Sequence, residues 1–269
     1  MKYLLLPLAV LGSVAHAQDA PPPEPAGSDA HELAKQLNNP VASLISVPFQ
    51  ENIDFSVGPG EGTRSTLNIQ PVVPIGLNDN WNLILRTIVP VVYQNDVVPG
   101  ESQFGLGDTV QSFFFSPKHP GPSGIIWAVG PVLSYRTETN RNLGSGKWGA
   151  GVTGLVLKQS GKHTFGVLAN HVWSVAGDDD RADVSATFLQ PFYSYTTSSA
   201  LTFGLNSEST YDWKGKQWTV PVNVTVTQLT HMGKQPVSFG GGVRYYAAAP
   251  QNGPNWGVRL IFTLLFPKK

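Results

Sequence analysis

The sequence predicts an all-β protein, an antiparallel transmembrane β-barrel of about twelve strands with a short N-terminal helical segment. Three observations support this fold class. Stretches of about ten to twelve residues alternate apolar and polar side chains along most of the chain. Glycine and proline, at 28 and 22 residues, provide turns between these stretches. No segment after the N-terminal leader has the ~18 uninterrupted apolar residues that a transmembrane helix needs.

The last strand, Trp256–Phe266, has one unbroken apolar face. Because side chains in a strand alternate with a period of two, this face must pack in a soluble core or contact a bilayer. A soluble sandwich would place Lys and Glu on its water-facing side. The second faces of these strands instead carry Thr, Ser, Asn, Gly and isolated charges, as a barrel lumen does. The pattern therefore favours a bilayer around the apolar faces.

The composition agrees with an exported membrane protein. Charged residues make up 13% of the chain, about half of the ~25% that is usual for a soluble domain. The absence of cysteine excludes disulfides, thiolate metal sites and cysteine lipid anchors. Once Lys2 is removed with the leader, 17 basic residues face 18 acidic ones. This balance gives no support for a nucleic-acid partner.

The N-terminal region divides into two parts. Residues 1–17 read as a signal peptide, with Lys2, an apolar run and the cleavage signature Ala15-His16-Ala17. Residues 18–48 are predicted to be a Pro-rich linker followed by a helix over Ser28–Leu37, which ends before Pro40. This segment is either a plug that enters the barrel or a tether at its rim. The barrel itself is expected over 49–269.

Turn signals divide the rest of the chain into twelve strands: Gln50–Val57, Arg64–Ile75, Trp81–Val92, Leu106–Ser116, Ile125–Arg136, Lys147–Lys158, His163–Val175, Val184–Tyr195, Leu201–Trp213, Gln217–Gln228, Pro236–Tyr246 and Trp256–Phe266. An even number places both chain ends on one side, which we expect to be periplasmic. The longer loops, 94–105, 137–146, 177–183 and 247–254, then all face outward. Aromatic residues gather at the strand ends, as interfacial girdles require.

Eight segments match the pattern of a known family: LNNPVASLISVPFQ (37–50), LRTIVPVVYQ (85–94), GLGDTVQSFFFSP (105–117), WAVGPVLSYRTET (127–139), LGSGKWGAGVTGLVLKQSGKHTFGVLANHVWSVAG (143–177), LQPFYSYT (189–196), YDWKGKQWTVPV (211–222) and WGVRLIFTLLFP (256–267). Together they resemble a bacterial outer-membrane family named for the MetA pathway of phenol degradation. The chain departs from the family pattern at Tyr135-Arg136-Thr137, where a Pro-Thr turn is expected. The resemblance implies an outer-membrane barrel for uptake of small aromatic or other organic compounds, and it implies no catalytic residues.

Charged residues in the strands are the candidates for the lumen and solute pathway. An Arg on the lipid side near the midplane would cost ~2–4 kcal/mol, so these side chains should point inward. The candidates are Arg86, Arg136, Arg244, Arg259, Asp54, Asp108, Glu208 and Asp212. Arg259 is expected to meet Asp54 or Asn52, because the last strand closes against the first. The charges form either a selective constriction or an internal salt-bridge network.

The function expected from these patterns is passive passage of small, including aromatic or hydrophobic, solutes through the bacterial outer membrane. The alternatives are a structural or interaction barrel closed by its N-terminal segment and, less favoured, a lipid-modifying enzyme. His171 and Ser174 lie on opposite faces of one strand, and no G-x-S-x-G occurs, so no enzymatic activity is expected.

The expected partners are outer-membrane lipid, lipopolysaccharide, a small-molecule solute and the barrel assembly machinery, through the C-terminal strand. The acidic run Asp178–Asp180 with Asp183 has the oxygen ligands that Ca²⁺ uses. Such a run in a loop is more typical of a solvated surface, or of a bridge through divalent ions to lipopolysaccharide. No metal site and no cofactor is therefore expected.

Overall fold

The computed structural model describes residues 26–267, which form one helix and one sheet of fifteen strand segments. The predicted signal peptide and most of the Pro-rich linker lie outside the described residues. Helix α1 spans Ala26–Leu37. The strand segments are β1 (Ile45–Val57), β2 (Gly62–Ile69), β3 (Val72–Gly76), β4 (Trp81–Asn95), β5 (Ser102–Leu106), β6 (Thr109–Pro117), β7 (Ile125–Tyr135), β8 (Lys147–Ser160), β9 (His163–Gly177), β10 (Ser185–Thr196), β11 (Leu201–Ser207), β12 (Ser209–Asp212), β13 (Gln217–Met232), β14 (Gln235–Ala248) and β15 (Trp256–Phe266).

Twelve strands make the wall, because β2 and β3, β5 and β6, and β11 and β12 are each two segments of one strand. Neighbouring strands pair antiparallel, and β1 pairs with β15 from Ile45–Phe266 to Phe55–Trp256, which closes the sheet. The predicted closed antiparallel barrel of twelve strands is therefore confirmed. The end of the barrel that carries Ile45 and Phe266 is here called the terminal rim. The opposite end, which carries the longer loops, is called the loop rim.

Each of the three strand interruptions lies beside a proline on a neighbouring strand. A proline has no N–H and cannot donate to the hydrogen-bond ladder, so regular pairing fails there. At each interruption the proline carbonyl instead accepts a bond from a residue in the break: Gln70 N to Pro48 O at 2.8 Å, Gly107 N to Pro90 O at 2.9 Å, and Glu208 N to Pro221 O at 3.3 Å. Breaks of this kind redirect nearby side chains, and Gln70 and Glu208 both line the lumen.

Two boundaries differ from those expected from the sequence. The first strand begins at Ile45 rather than near residue 49, because residues 45–48 pair with the last residues of β15. Half of the loop expected over 94–105 is strand, since β5 pairs with residues 91–95 of β4. Asp96, with a φ of 55°, begins the short turn between them. This hairpin extends the wall at the loop rim.

The outer face of the barrel is largely apolar. Leu260, Val243 and Val129 are 57%, 56% and 52% exposed, an arrangement that a bilayer accommodates and water does not. Exposed aromatic side chains lie towards the strand ends: Tyr93, Trp148, Trp173, Trp213, Trp218, Tyr245, Trp256 and Phe266. No helix within residues 26–267 is long and apolar enough to span a membrane. The chain thus has the outer surface of an outer-membrane barrel.

One carboxylate interrupts this apolar face. Glu51 is the middle residue of β1 and points outward, where it is flanked by Leu67 of β2 and Leu260 of β15. Its Oε1 accepts a hydrogen bond from Ser65 Oγ at 2.6 Å. The carboxyl group therefore lies at mid-height of the lipid-facing wall, where Ser65 is its hydrogen-bond partner.

Replacing Glu51 with leucine is expected to stabilise the barrel by about 1–2 kcal/mol, because an acid at this depth costs somewhat less than the ~2–4 kcal/mol of Arg or Lys. The measurement is urea unfolding of the protein folded into lipid vesicles. Ser65→Ala should destabilise the wild type, whose carboxyl loses its partner, and should have no effect in the Glu51→Leu background. A lower unfolding midpoint for Glu51→Leu would contradict this assignment.

Candidate lumenal site

The lumen contains two cavities that lie one above the other. The loop-side cavity has a volume of about 450 Å³, and the terminal-side cavity, which contacts residues 36–44, has a volume of about 260 Å³. Four side chains line both cavities and so mark the boundary between them: Gln50, Gln70, Arg86 and Gln190. These four side chains are called the lumenal ring.

The ring combines three carboxamides with one guanidinium group. Gln50 lies on β1, Arg86 on β4 and Gln190 on β10, each at an inward position of its strand. Gln70 lies in the break between β2 and β3. Arg86 Nη2 donates to Gln70 Oε1 at 3.0 Å. The break between β2 and β3 therefore supplies Gln70, the hydrogen-bond partner of Arg86.

The loop-side cavity is more apolar than the sequence led us to expect. The inward faces were predicted to carry Thr, Ser, Asn, Gly and charges. Aliphatic and aromatic side chains also line the cavity: Ile88, Val110, Val172, Val184 and Phe188. Its polar lining includes Asn68, Ser112, Ser134 and Asn170. An apolar chamber with polar groups at its floor is the usual form of a small-molecule site.

A cluster of charged side chains fills the wall beside the ring. This arginine cluster consists of Asn52, Asp54, Glu208, Arg244 and Arg259. Arg259 donates to both carboxylate oxygens of Glu208, at 3.0 and 2.7 Å, and to Asn52 Oδ1 at 2.7 Å. Arg244 donates to Asp54 Oδ1 at 3.1 Å, to Asn52 Oδ1 at 2.9 Å and to Glu208 Oε2 at 3.4 Å. Every charge in the cluster has an opposite partner.

Burial makes these pairings necessary. Arg259 is 1% exposed, and the Glu208 side chain is 20% exposed. A buried charge without a partner costs several kcal/mol, whereas a paired and hydrogen-bonded one is tolerated. The cluster links β1, β14, β15 and the break between β11 and β12. Its geometry is that of an internal salt-bridge network across the seam where the chain closes.

The structure brings most of the predicted pathway residues to the lumen. Arg86, Asp54, Glu208, Arg244 and Arg259 lie within the barrel near one another. Asp108 lines the loop-side cavity higher up, in the break between β5 and β6.

Two predicted pathway residues lie elsewhere. Arg136 follows the last residue of β7, and its side chain is 37% exposed at the loop rim. Asp212 is the last residue of β12 and is also exposed there. Both residues therefore lie at the loop rim rather than inside the lumen, because Arg136 follows the end of β7 and Asp212 ends β12.

Three of the four aspartates in the acidic loop at the loop rim pair with basic residues. Arg136 Nη2 lies 2.6 Å from Asp178 Oδ2, and Arg141 Nη2 lies 2.8 Å from Asp180 Oδ2. Lys147 Nζ lies 3.4 Å from Asp183 Oδ1. The hydrogen bond from Arg141 holds the pKa of Asp180 below its usual value, and that from Lys147 does the same for Asp183. No group of three potential metal-ligating side chains occurs within residues 26–267.

Two carboxyl groups, those of Asp108 and Glu138, lie close together at the same rim. Asp108 Oδ2 accepts two bonds from Ser145, from its N–H and its hydroxyl, both at 2.6 Å. Glu138 Oε1 accepts a bond from Arg136 Nε at 3.3 Å. Burial and the neighbouring Asp108 raise the pKa of Glu138. Gly144 permits this approach, since a Cβ there would lie 2.7 Å from Asp108 Oδ1 and 2.8 Å from Glu138 Cγ.

Residues 26–44, here called the N-terminal segment, close part of the terminal rim. His31 Nδ1 donates to the Thr197 carbonyl at 3.0 Å, and Gln159 Nε2 donates to the Lys35 carbonyl at 2.8 Å. Ala34 and Leu44, each 3% exposed, pack with the buried wall residues Ala200, Leu229 and Leu265. The segment is therefore bonded to turns and strands on several sides of the rim.

Val41 extends the packing of the N-terminal segment into the lumen. It is 6% exposed and packs in a cluster of inward wall residues: Ile84, Phe114, Ala128, Leu155, Leu157 and Leu168. Ile84, Phe114 and Ala128 are each 0% exposed. The lumen near the terminal rim is thus filled by apolar packing, and the open volume lies above it and beside it.

His171 lies on the outer face, among aromatic residues. Its Nδ1 is 2.7 Å from Thr187 Oγ1 and its Nε2 is 3.3 Å from Ser185 Oγ. Its ring centroid is 4.1 Å from that of Trp173. Ser174 instead lines the loop-side cavity on the opposite face. The two residues considered for hydrolysis are therefore separated by the barrel wall.

No family model and no curated protein matches the chain, so the resemblance to the MetA-pathway family remains a prediction. The structure is similar to the crystal structure of the COG4313 outer membrane channel from Pseudomonas putida F1. The TM-score is 0.64 at 15% sequence identity, over 83% of this chain and 94% of that chain. The beta domain of the Bordetella autotransporter BrkA aligns with a TM-score of 0.39 at 10% identity, over 83% of this chain and 99% of that one.

A bacterial polysaccharide outer membrane secretin also aligns, with a TM-score of 0.39 at 10% identity over 84% of this chain and 99% of that chain. The closed twelve-stranded wall, its apolar outer face and the similarity to a solved outer membrane channel together identify the fold as that of an outer-membrane β-barrel.

Proposed function

We propose that the chain is an outer-membrane channel for the passive passage of small organic solutes, including aromatic ones. The observation that carries this proposal is the pair of cavities that meet at the lumenal ring. Together they run from the loop rim to the N-terminal segment. A barrel that served only as a membrane anchor would have no need of a chamber lined by both apolar and polar side chains. The similarity to an outer membrane channel supports the same function.

The proposed route has a defined direction. We place the terminal rim in the periplasm and the longer loops outside the cell, because outer-membrane barrels have short periplasmic turns and longer outer loops. A solute then enters at the loop rim, occupies the loop-side cavity and passes the lumenal ring. It leaves past the N-terminal segment, whose packing makes that segment the narrowest part of the route.

A second function is favoured by the same packing. Residues 26–44 fill the terminal rim with buried side chains such as Ala34, Val41 and Leu44. If this packing never loosens, the molecule is a structural or interaction barrel with a closed lumen, which presents its loops to other surfaces. The two functions differ in whether ions cross the barrel.

Ion conductance after reconstitution into planar bilayers distinguishes the two functions. The wild-type channel should give small, resolved current steps, and deletion of residues 18–40 should raise the conductance several-fold, since this removes α1 and leaves β1 complete. Deletion of residues 18–25 alone is the matched control and should change nothing. Absence of current from both the wild type and the longer deletion would contradict the channel and favour the structural barrel.

A further inference from the structure

Arg86 lies at the floor of the loop-side cavity with most of its donors uncommitted. Within residues 26–267, its side chain makes one hydrogen bond, to Gln70, and no ion pair. A guanidinium group has five N–H donors in a planar fork. Arg86 lines both cavities, so its side chain borders the open lumen.

The carboxylate that attracts Arg86 already has other hydrogen-bond partners. Glu208 attracts Arg86 electrostatically, but both of its oxygens accept bonds from Arg259, and one also accepts a bond from Arg244. Asp54 likewise pairs with Arg244. Arg64 of β2 lies opposite Asp54, and its Nε donates to Gln94 Oε1 at 2.9 Å. This part of the lumen therefore holds four guanidinium groups, those of Arg64, Arg86, Arg244 and Arg259, against two carboxylates. Arg64 and Arg86 form no ion pair within residues 26–267, and of these two Arg86 is the one that lines the loop-side cavity.

The other charges on the cavity wall do not offset this excess. Asp108 and Lys147 line the same cavity nearer the loop rim. Asp108 is held by Ser145, and Lys147 pairs with Asp183. The two charges oppose each other and each has its own partner. An anion that enters the chamber is therefore drawn to Arg86 at its floor.

The chamber above Arg86 suits an apolar body. Its volume of about 450 Å³ falls within the ~300–1,000 Å³ of small-molecule sites. Ile88, Val110, Val172 and Phe188 line it, while Gln50, Gln70 and Gln190 line the cavity floor together with Arg86 and add amide donors and acceptors. A planar carboxylate can accept two parallel bonds from a guanidinium fork. The site thus offers one anionic contact at its end and apolar contacts along its sides.

We infer that the loop-side cavity binds small amphipathic monocarboxylates, with the carboxylate on Arg86 and the apolar or aromatic body between Ile88, Val172 and Phe188. This inference rests on the proposed channel function and names the class of solute that the channel selects. A neutral solute of the same shape fills the chamber but leaves the guanidinium group unpaired. The preference for the anion over its neutral isostere is therefore set by one side chain.

Equilibrium binding to the detergent-solubilised full chain tests this inference, with benzoate and benzamide as a matched pair of probes. The wild type should bind benzoate at least tenfold more tightly than benzamide. Arg86→Gln should lower benzoate affinity about tenfold and leave benzamide affinity unchanged. Lys118→Gln removes a positive charge in an exposed turn far from the cavity and should alter neither affinity. Equal affinities in the wild type, or a preference that survives Arg86→Gln, would overturn the inference.

A second variant keeps the test decisive if Arg86→Gln fails to fold. Gln70→Glu places a carboxylate on the side chain that already accepts a bond from Arg86, so it should pair with Arg86 and abolish the preference for benzoate. Retention of that preference in Gln70→Glu would also overturn the inference.

Bilayer conductance separates the two proposals. Selective benzoate binding without current supports the site and contradicts the channel, whereas current without selective binding supports the channel and contradicts the site.

Discussion

Replacing Glu208 with glutamine is expected to destabilise the folded barrel by about 3 kcal/mol. The substitution keeps the side-chain volume but removes the charge that Arg259 and Arg244 share. Breaking a buried ion pair from one side typically costs about 3–5 kcal/mol, because the remaining charge is left buried without a partner. The lower end applies here, since the Glu208 side chain is 20% exposed to the lumen. Asp54 would remain as the one carboxylate for two arginines.

Urea unfolding in lipid vesicles measures this effect, with the loss of tryptophan fluorescence as the signal. Glu61→Gln is the matched control, because Glu61 is an exposed turn residue and its substitution should change stability by less than about 0.5 kcal/mol. The double variant Glu208→Gln with Arg244→Gln should recover part of the lost stability, as coupled residues do. Equal stability of Glu208→Gln and the wild type would show that the cluster does not hold the seam together.

Replacing Val41 with aspartate is expected to release the N-terminal segment and raise the conductance several-fold. Val41 is 6% exposed among apolar side chains such as Ile84, Phe114 and Leu168, none of which can bond a carboxylate. Placing an unpaired charge there costs several kcal/mol. The segment can avoid this cost by leaving the lumen, because its attachment elsewhere consists of a few hydrogen bonds and small apolar contacts.

Single-channel recording in planar bilayers gives the conductance of each variant. Ser43→Asp is the matched control: Ser43 is exposed two residues further on, where a carboxylate remains in water and still accepts the bond from Asn82 Nδ2. Its conductance should equal that of the wild type. A wild-type conductance for Val41→Asp, with the protein folded, would mean that residues 38–44 do not limit the current.

The architecture was predictable because side-chain alternation is local information. The twelve strands and the closure of β15 on β1 follow from period-two patterns that a bilayer enforces at every strand. The interruptions were less predictable: Pro48, Pro90 and Pro221 are visible in the sequence, but the strand that each faces depends on register. For the same reason the predicted fourth strand, Leu106–Ser116, did not reveal that β5 extends β6 towards the loop rim.

The site was predictable in its charges and not in its neutral members. Arg86, Arg244 and Arg259 were found because a charge in an apolar strand has few permitted positions. Gln50 and Gln190 gave no such signal, since an amide is tolerated at an inward, a rim or a loop position. Gln50 lies on the same face of β1 as Asn52 and Asp54, and this was the one indication in the sequence that Gln50 points into the lumen. The apolar lining by Ile88 and Val172 was missed because alternation alone does not distinguish an aliphatic lumen residue from a lipid-facing one.

The arginine cluster also bears on the order of assembly. Its members come from the first strand and the last two, together with the break between β11 and β12, so the set is complete only after the final strand has been added. A partly built sheet would leave guanidinium and carboxylate groups without counter-charges at an open edge. Incomplete intermediates are thereby disfavoured relative to the closed barrel, and closure becomes the step that commits the polypeptide to its native form.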